Sequence, residues 1–221
     1  MRRFLRRLVL LILLVVALAV GYGWLGYRDA GADAETLRVR ADALIEAGRG
    51  GAGLGVDRRQ MLIDVEDPAF LAHVGVDFTT PGAGSATITQ SVARRLGLDG
   101  PQHAISWLRQ TGYALALERD LTKPQILALF LDTVPMGPGP DGEGITGLWP
   151  ASAAHFGADP GDVSEPEFLA LLAVMIAPGD LLLTDPGPRL EERIGRIGRL
   201  LSGECVPAGH DDVWFEGCAS R

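Results

Sequence analysis

Gly84-Ser85-Ala86-Thr87-Ile88-Thr89-Gln90, running on through Ser91-Val92-Ala93-Arg94 to Leu96, decides the fold class of this chain. Gly82 and Gly84 make a turn, and a helix starts near Ser85 or Ala86. Along it Ile88, Val92 and Leu96 recur on one face, while Thr87, Gln90, Ser91 and Arg94 fall at i, i+3, i+4 and i+7 on another. Helical spacing returns in Ile126, Leu127, Phe130, Leu131 and Val134. Further on, Ser164 and Glu167 form a capping box before the apolar run Phe168 to Ile176, which Pro178-Gly179 ends. No segment alternates long enough for a sheet-based domain. A mainly α fold of short helices joined by Gly/Pro loops is expected.

At the N-terminus, residues 8–27 carry no charge, and about 20 apolar residues rising 1.5 Å each cross a hydrocarbon core of about 30 Å. Arg2, Arg3, Arg6 and Arg7 precede this stretch, and Arg28, Asp29 and Asp33 follow it. That asymmetry places a short basic segment (1–7) in the cytoplasm, a transmembrane helix over 8–27 and the body outside. A cleaved signal peptide, cut after Ala17-Leu18-Ala19, is the alternative. Past the span, Asp33 is expected to cap a second helix reaching about Ala47, with Leu37, Ala41, Leu44 and Ile45 on one face. Gly48-Arg49-Gly50-Gly51-Ala52-Gly53 formally matches a dinucleotide fingerprint, but it follows a helix rather than a strand and reads as a linker. The 221 residues suffice for one domain with a real core, and net charge is −8. Without the four leading arginines 16 bases face 28 acids, and so acidic a body argues against nucleic acid as a partner.

Three polar clusters stand in fixed order. Glu66-Asp67-Pro68-Ala69-Phe70 and His73-Val74-Gly75-Val76-Asp77 come first, then Gly84 to Gln90, then Lys123-Pro124-Gln125-Ile126-Leu127. Glu66 follows Leu62, Ile63 and Val65 before a proline break, so its carboxylate ends an apolar helix, where partial desolvation raises its pKa toward the range of a working base. The hydroxyl, amide and guanidinium stripe of Thr87, Gln90 and Arg94 suits a diphosphate and a sugar, although a solvated helix face looks the same. Lys123 is the only lysine.

In this order the clusters resemble the motif series of the peptidoglycan glycosyltransferases of family 51, membrane-anchored enzymes that polymerise the lipid-linked disaccharide-peptide precursor of bacterial cell wall. The resemblance spans about Met61 to Leu201. It implies a lysozyme-like helical domain over 59–201, preceded by a helix and Gly-rich linker (28–58) and followed by a tail (202–221). Glu66 is then the catalytic base, Thr87, Gln90, Arg94 and Lys123 bind substrate, and Arg94 stands where a lysine is usual. In the third motif a second glutamate assists the leaving diphosphate, directly or through a divalent metal such as magnesium, and here Gln110 takes its place. Ala86, Ser91, Ala128 and Asp132 also depart from the family pattern, Arg193 with Arg196 is similar to its last arginine motif, and the stretch from Asp77 to Gly82 is much shorter than its helical insert near the membrane. Implied partners are lipid II, nascent glycan strands, the inner membrane and other cell-wall synthesis proteins, with the domain on the periplasmic side. A catalytically silent homologue that binds lipid II or the wall machinery is the second reading, and a lytic glycosidase with Glu66 as acid the third. No Ser-x-x-Lys or Lys-Thr-Gly occurs, so no transpeptidase domain is expected.

The two cysteines, Cys205 and Cys218, both lie in the tail, and outside a membrane such a pair reads as a disulfide. His210 between them offers a metal reading that lacks a fourth ligand of suitable spacing.

Overall fold

The computed structural model describes residues 2–84, 86–97 and 105–220. Its first helix, α1, is a single element from Arg2 to Glu46. The large apolar side chains from Leu8 to Val20 stand free, 42–67% exposed, on a helix long and apolar enough to cross a membrane. The expected start of a second helix at Asp33 does not occur. Ala30, Ala34, Leu37 and Ala41 are all buried at alternating spacings of four and three, so one packed stripe carries the helix straight through the polar residues around 28–33. Asp33 is no cap; its carboxylate accepts the Tyr113 hydroxyl at 2.8 Å.

That stripe docks on α4 (Ser106–Asp120) and α5 (Lys123–Thr133). Backbone meets backbone where α1 crosses α4, because a Cβ on Gly112 would lie 1.9 Å from the Gly23 carbonyl oxygen. Gly112→Ala is therefore expected to cost about 1–3 kcal/mol, as overpacking does, read as a lowered thermal midpoint in detergent. An unchanged midpoint would mean the two helices are free to separate.

Behind this layer the chain builds a helical core. A 3-10 turn (Gly51–Leu54) leads into α2 (Val56–Glu66), and α3 (Ile88–Leu96) lies against α4 and α5. Residues 126–131 of α5 are all buried, which makes it the central helix. Its start is fixed by a capping box between Thr122 and Gln125 with Pro124 in the first turn. A two-stranded antiparallel hairpin, β1 (Pro135–Pro138) with β2 (Gly144–Thr146), turns the chain into α6 (Leu148–Phe156). Then follow α7 (Glu165–Met175), which begins with the expected Ser164–Glu167 capping box, and the amphipathic α8 (Pro188–Leu201).

The tail folds back on the body. Cys205 and Cys218 are bonded, with Cα atoms 5.3 Å apart, and Phe215 and Cys218 are each only 1% exposed. Gly82 and Gly84 donate backbone N–H groups to the carbonyls of Gly209 and His210, both at 2.9 Å. Gly84 has φ +67° and the Val213 side chain where a Cβ would stand, so this approach requires glycine twice over. The tail thus packs on the short stretch from Asp77 to Gly84.

Candidate active site

Glu66 is the last residue of α2, half-buried at the point where Asp67 turns the chain out of the helix. Burial pushes its carboxyl up to about 7, with the positive fields of Arg193 and Arg95 pulling the other way and Asp67 adding to the rise. These two arginines are the ones the fold brings to it. Arg95 hangs on Thr133, Nε to Oγ1 at 3.1 Å, with its guanidinium 4.9 Å from the Phe130 ring centre. Arg193, from α8, is 3% exposed and sits 4.2 Å from the Phe215 ring centre. Burial depresses both to about 10, so both stay charged at neutral pH, and Nη2 of Arg95 and Nε and Nη1 of Arg193 are buried without a hydrogen-bond partner. A carboxyl near neutrality in the field of two largely desolvated cations is suited to take a proton.

Asp67 anchors this corner. It is wholly buried, and its Oδ2 accepts the Ile88 N–H at 2.9 Å, tying the end of α2 to the first turn of α3. The same oxygen lies 2.8 Å from Nε2 of His73, while Nδ1 of His73 accepts the Gly75 N–H at 3.0 Å. With Nδ1 accepting, the proton belongs on Nε2, donated to Asp67. His73 is thereby a brace for the loop.

The other residues expected to form the site fall into two groups. Thr87 and Gln90 close the capping box of α3, and the Thr87 hydroxyl donates to the Gly75 carbonyl at 2.8 Å; both are buried. Gln110 Nε2 donates to the Gln90 carbonyl at 3.0 Å, clipping α4 to α3. Lys123 points elsewhere, to Glu118 Oε1 at 2.7 Å and the His73 carbonyl at 2.8 Å, over the face of Phe70. Arg94 is exposed on the outer side of α3. Among the described residues Glu66 forms no hydrogen bond or ion pair with Thr87, Gln90, Arg94, Gln110 or Lys123.

A divalent metal beside Gln110 does not fit the residues present. The amide there is neutral and donates to a carbonyl, and among the described residues no three His, Cys, Asp or Glu side chains are grouped to hold an ion. Glu118 stands two turns, about 12 Å, along α4 from Gln110 and is held by Thr89 and Lys123. Asp120 is paired with Arg119. Neither reaches the vacant acid position.

Arg95 is legible in the sequence. With Ile88 and Val92 it completes an i, i+4, i+7 series on the buried stripe of α3, and a guanidinium on a buried stripe is a polar group with a task. Arg193 has the corresponding signal in α8, between Leu190 and Ile197 on the buried face.

The profile of the family described as Transglycosylase matches residues 54–199, two thirds of the chain, and the chain belongs to that family. It is similar to the biosynthetic peptidoglycan transglycosylase of Rhodospirillum centenum, 27% identical over 229 aligned residues that cover 91% of this chain and 90% of that one. The namesake in Nitrosomonas eutropha is 30% identical, over 54% of this chain and 52% of its own length. Penicillin-binding protein 1F of Bacillus subtilis is 28% identical, over 54% of this chain and 18% of its own. The chain thus spans about half or less of the last two relatives.

Proposed function

We propose that this protein is a peptidoglycan glycosyltransferase that polymerises lipid II into glycan strands, anchored by α1 with its helical domain on the outer face of the cytoplasmic membrane. The observation that carries the reading is Glu66, its carboxyl near 7, in the field of the partly buried Arg95 and the buried Arg193 within a matched transglycosylase domain. Glu66 removes the proton from the acceptor's 4-hydroxyl as its oxygen attacks the anomeric carbon of the donor glycan. The glycosidic bond forms with inversion as the carbon–oxygen bond to the undecaprenyl diphosphate breaks. Fixed positive charge on Arg95, with Arg94 at the outer edge, stabilises the departing diphosphate without reorganisation. Thr87, Gln90 and Lys123 contribute by holding the walls of the site. The test is incubation of the detergent-solubilised protein with lipid II and resolution of the products by strand length; no strands under any condition defeats it.

One observation favours the second reading, a silent homologue that binds lipid II or other cell-wall synthesis proteins. Gln110 occupies the second acid's place, and neither Glu118 nor Asp120 reaches it. Gln110→Glu is expected to raise strand formation at least severalfold, while the lost hydrogen bond to Gln90 costs about 1 kcal/mol of stability. If wild type and variant are both inert while lipid II still binds, the second reading stands.

A further inference from the structure

Where the disulfide-closed tail meets α8, at the C-terminal end of the matched domain, lies a cavity of about 260 Å³ lined by Arg189, Glu192, Arg193, Arg196, Trp214 and Glu216. A water molecule takes about 30 Å³, so the space suits an amino-acid-sized group rather than a lone ion. Arg189, Arg193 and Arg196 fall on one face of α8 at i, i+4 and i+7. Their charges are unequally engaged. Arg196 is engaged through both terminal nitrogens, Nη1 to the Trp214 carbonyl at 3.1 Å and Nη2 to Glu192 at 2.5 Å, and leaves only its Nε unpartnered among the described residues. Arg193 is the opposite case, buried, with Nε and Nη1 unpartnered and the rings of Trp214 and Phe215 beside it. A buried cation of this kind is completed by an oxyanion.

The rim limits which oxyanion that is. Glu216 stands exposed on the tail side and Glu192 on the helix side, so a multiply charged phosphate group meets two carboxylates there. A single carboxylate on Arg193 and Arg189, with an ammonium turned toward Glu216, meets an opposite charge at each end, and Trp214 gives the wall a flat apolar face. We propose that this cavity is a recognition site for a peptide segment that bears both a carboxylate and an ammonium group. It rests on the polymerase reading in taking the peptide branch of the precursor as that segment. The wall is built in advance: besides the disulfide, Asp212 accepts N–H groups from Ala208, Glu216 and Gly217 at 2.7–3.0 Å, so little loop ordering opposes binding.

The experiment is calorimetric titration of the full chain in detergent micelles with four probes. They are a synthetic tripeptide with a free side-chain ammonium and a free C-terminal carboxylate, the same peptide acetylated on the amine, the same peptide amidated at the C-terminus, and inorganic diphosphate. The free peptide is expected to bind saturably, and each capped form about tenfold more weakly, the loss of one charge-assisted hydrogen bond. Glu216→Gln is expected to erase the difference between free and acetylated peptide, and Arg189→Ser to shrink that between free and amidated peptide. Absent binding, a capped peptide that binds as tightly as the free one, or tighter binding of diphosphate each overturns the proposal. Peptide binding does not depend on turnover, so a chain that binds the peptide but makes no strands defeats the polymerase reading and leaves this site standing.

Discussion

Glu66→Gln is expected to lower strand formation about 10²–10⁴-fold, the usual contribution of a positioned general base. The amide keeps the shape of the side chain at the end of α2 but cannot take a proton. In the wild type the pH profile follows the same group. With the carboxyl pushed up to about 7 by burial, kcat/KM is expected to fall about tenfold per pH unit below that value and to level off above it. Stability moves the other way. The ordinary value is 4.5, so between about 4.5 and 7 the folded protein holds a proton that the unfolded chain has released, and stability falls as pH rises through that window. Glu66→Gln removes this dependence, so its thermal midpoint relative to wild type is expected to be higher at pH 8 than at pH 5. A variant that polymerises normally, or an activity profile flat from pH 5 to 8, removes Glu66 from the reaction.

Much of this site could be read in the sequence because it is local. Glu66 at the end of an apolar helix, the capping box of α7, and the pairing of Cys205 with Cys218 each depend on neighbours within a few turns. What surrounds Glu66 is not local. Arg95 on α3 and Arg193 on α8 act on its carboxyl from 29 and 127 positions along the chain, and no periodicity reports a proximity of that range. Position in the motif drew attention to Arg94 instead of Arg95, although the buried stripe of α3 points to the latter. The same limit explains α1. Asp33 is a sound cap by composition, but its carboxylate is taken by Tyr113, eighty residues on, and the stripe that carries the helix through it packs on α4 and α5. Nor does composition show that the tail packs against Gly82 and Gly84, since Pro207, Val213 and Phe215 carry no pattern until the disulfide and the short loop bring them together. The β1–β2 hairpin was hidden by its prolines and glycines, which argue against strands in any single-sequence reading.

Lys123→Ala is expected to destabilise the domain by about 3 kcal/mol, the low end of the roughly 3–5 kcal/mol for breaking a buried ion pair, because Lys123 is itself partly exposed while Glu118 is nearly enclosed. The change leaves Glu118 Oε1 with only the Thr89 hydroxyl, and it strips the His73 carbonyl and the Phe70 face of their cation. Strand formation is expected to fall with stability, an outcome that by itself does not separate a brace from a substrate contact. The second change separates them. Glu118→Gln on top of Lys123→Ala removes the orphaned charge and keeps an oxygen for Thr89, so the double variant is expected to regain at least half of the lost stability. If Lys123 acts by fixing the loop from Phe70 to Gly75, turnover returns with the fold. Recovery of the thermal midpoint with strand formation still more than tenfold down would put the Lys123 ammonium on the substrate, since a brace that has been made unnecessary has no further effect on rate.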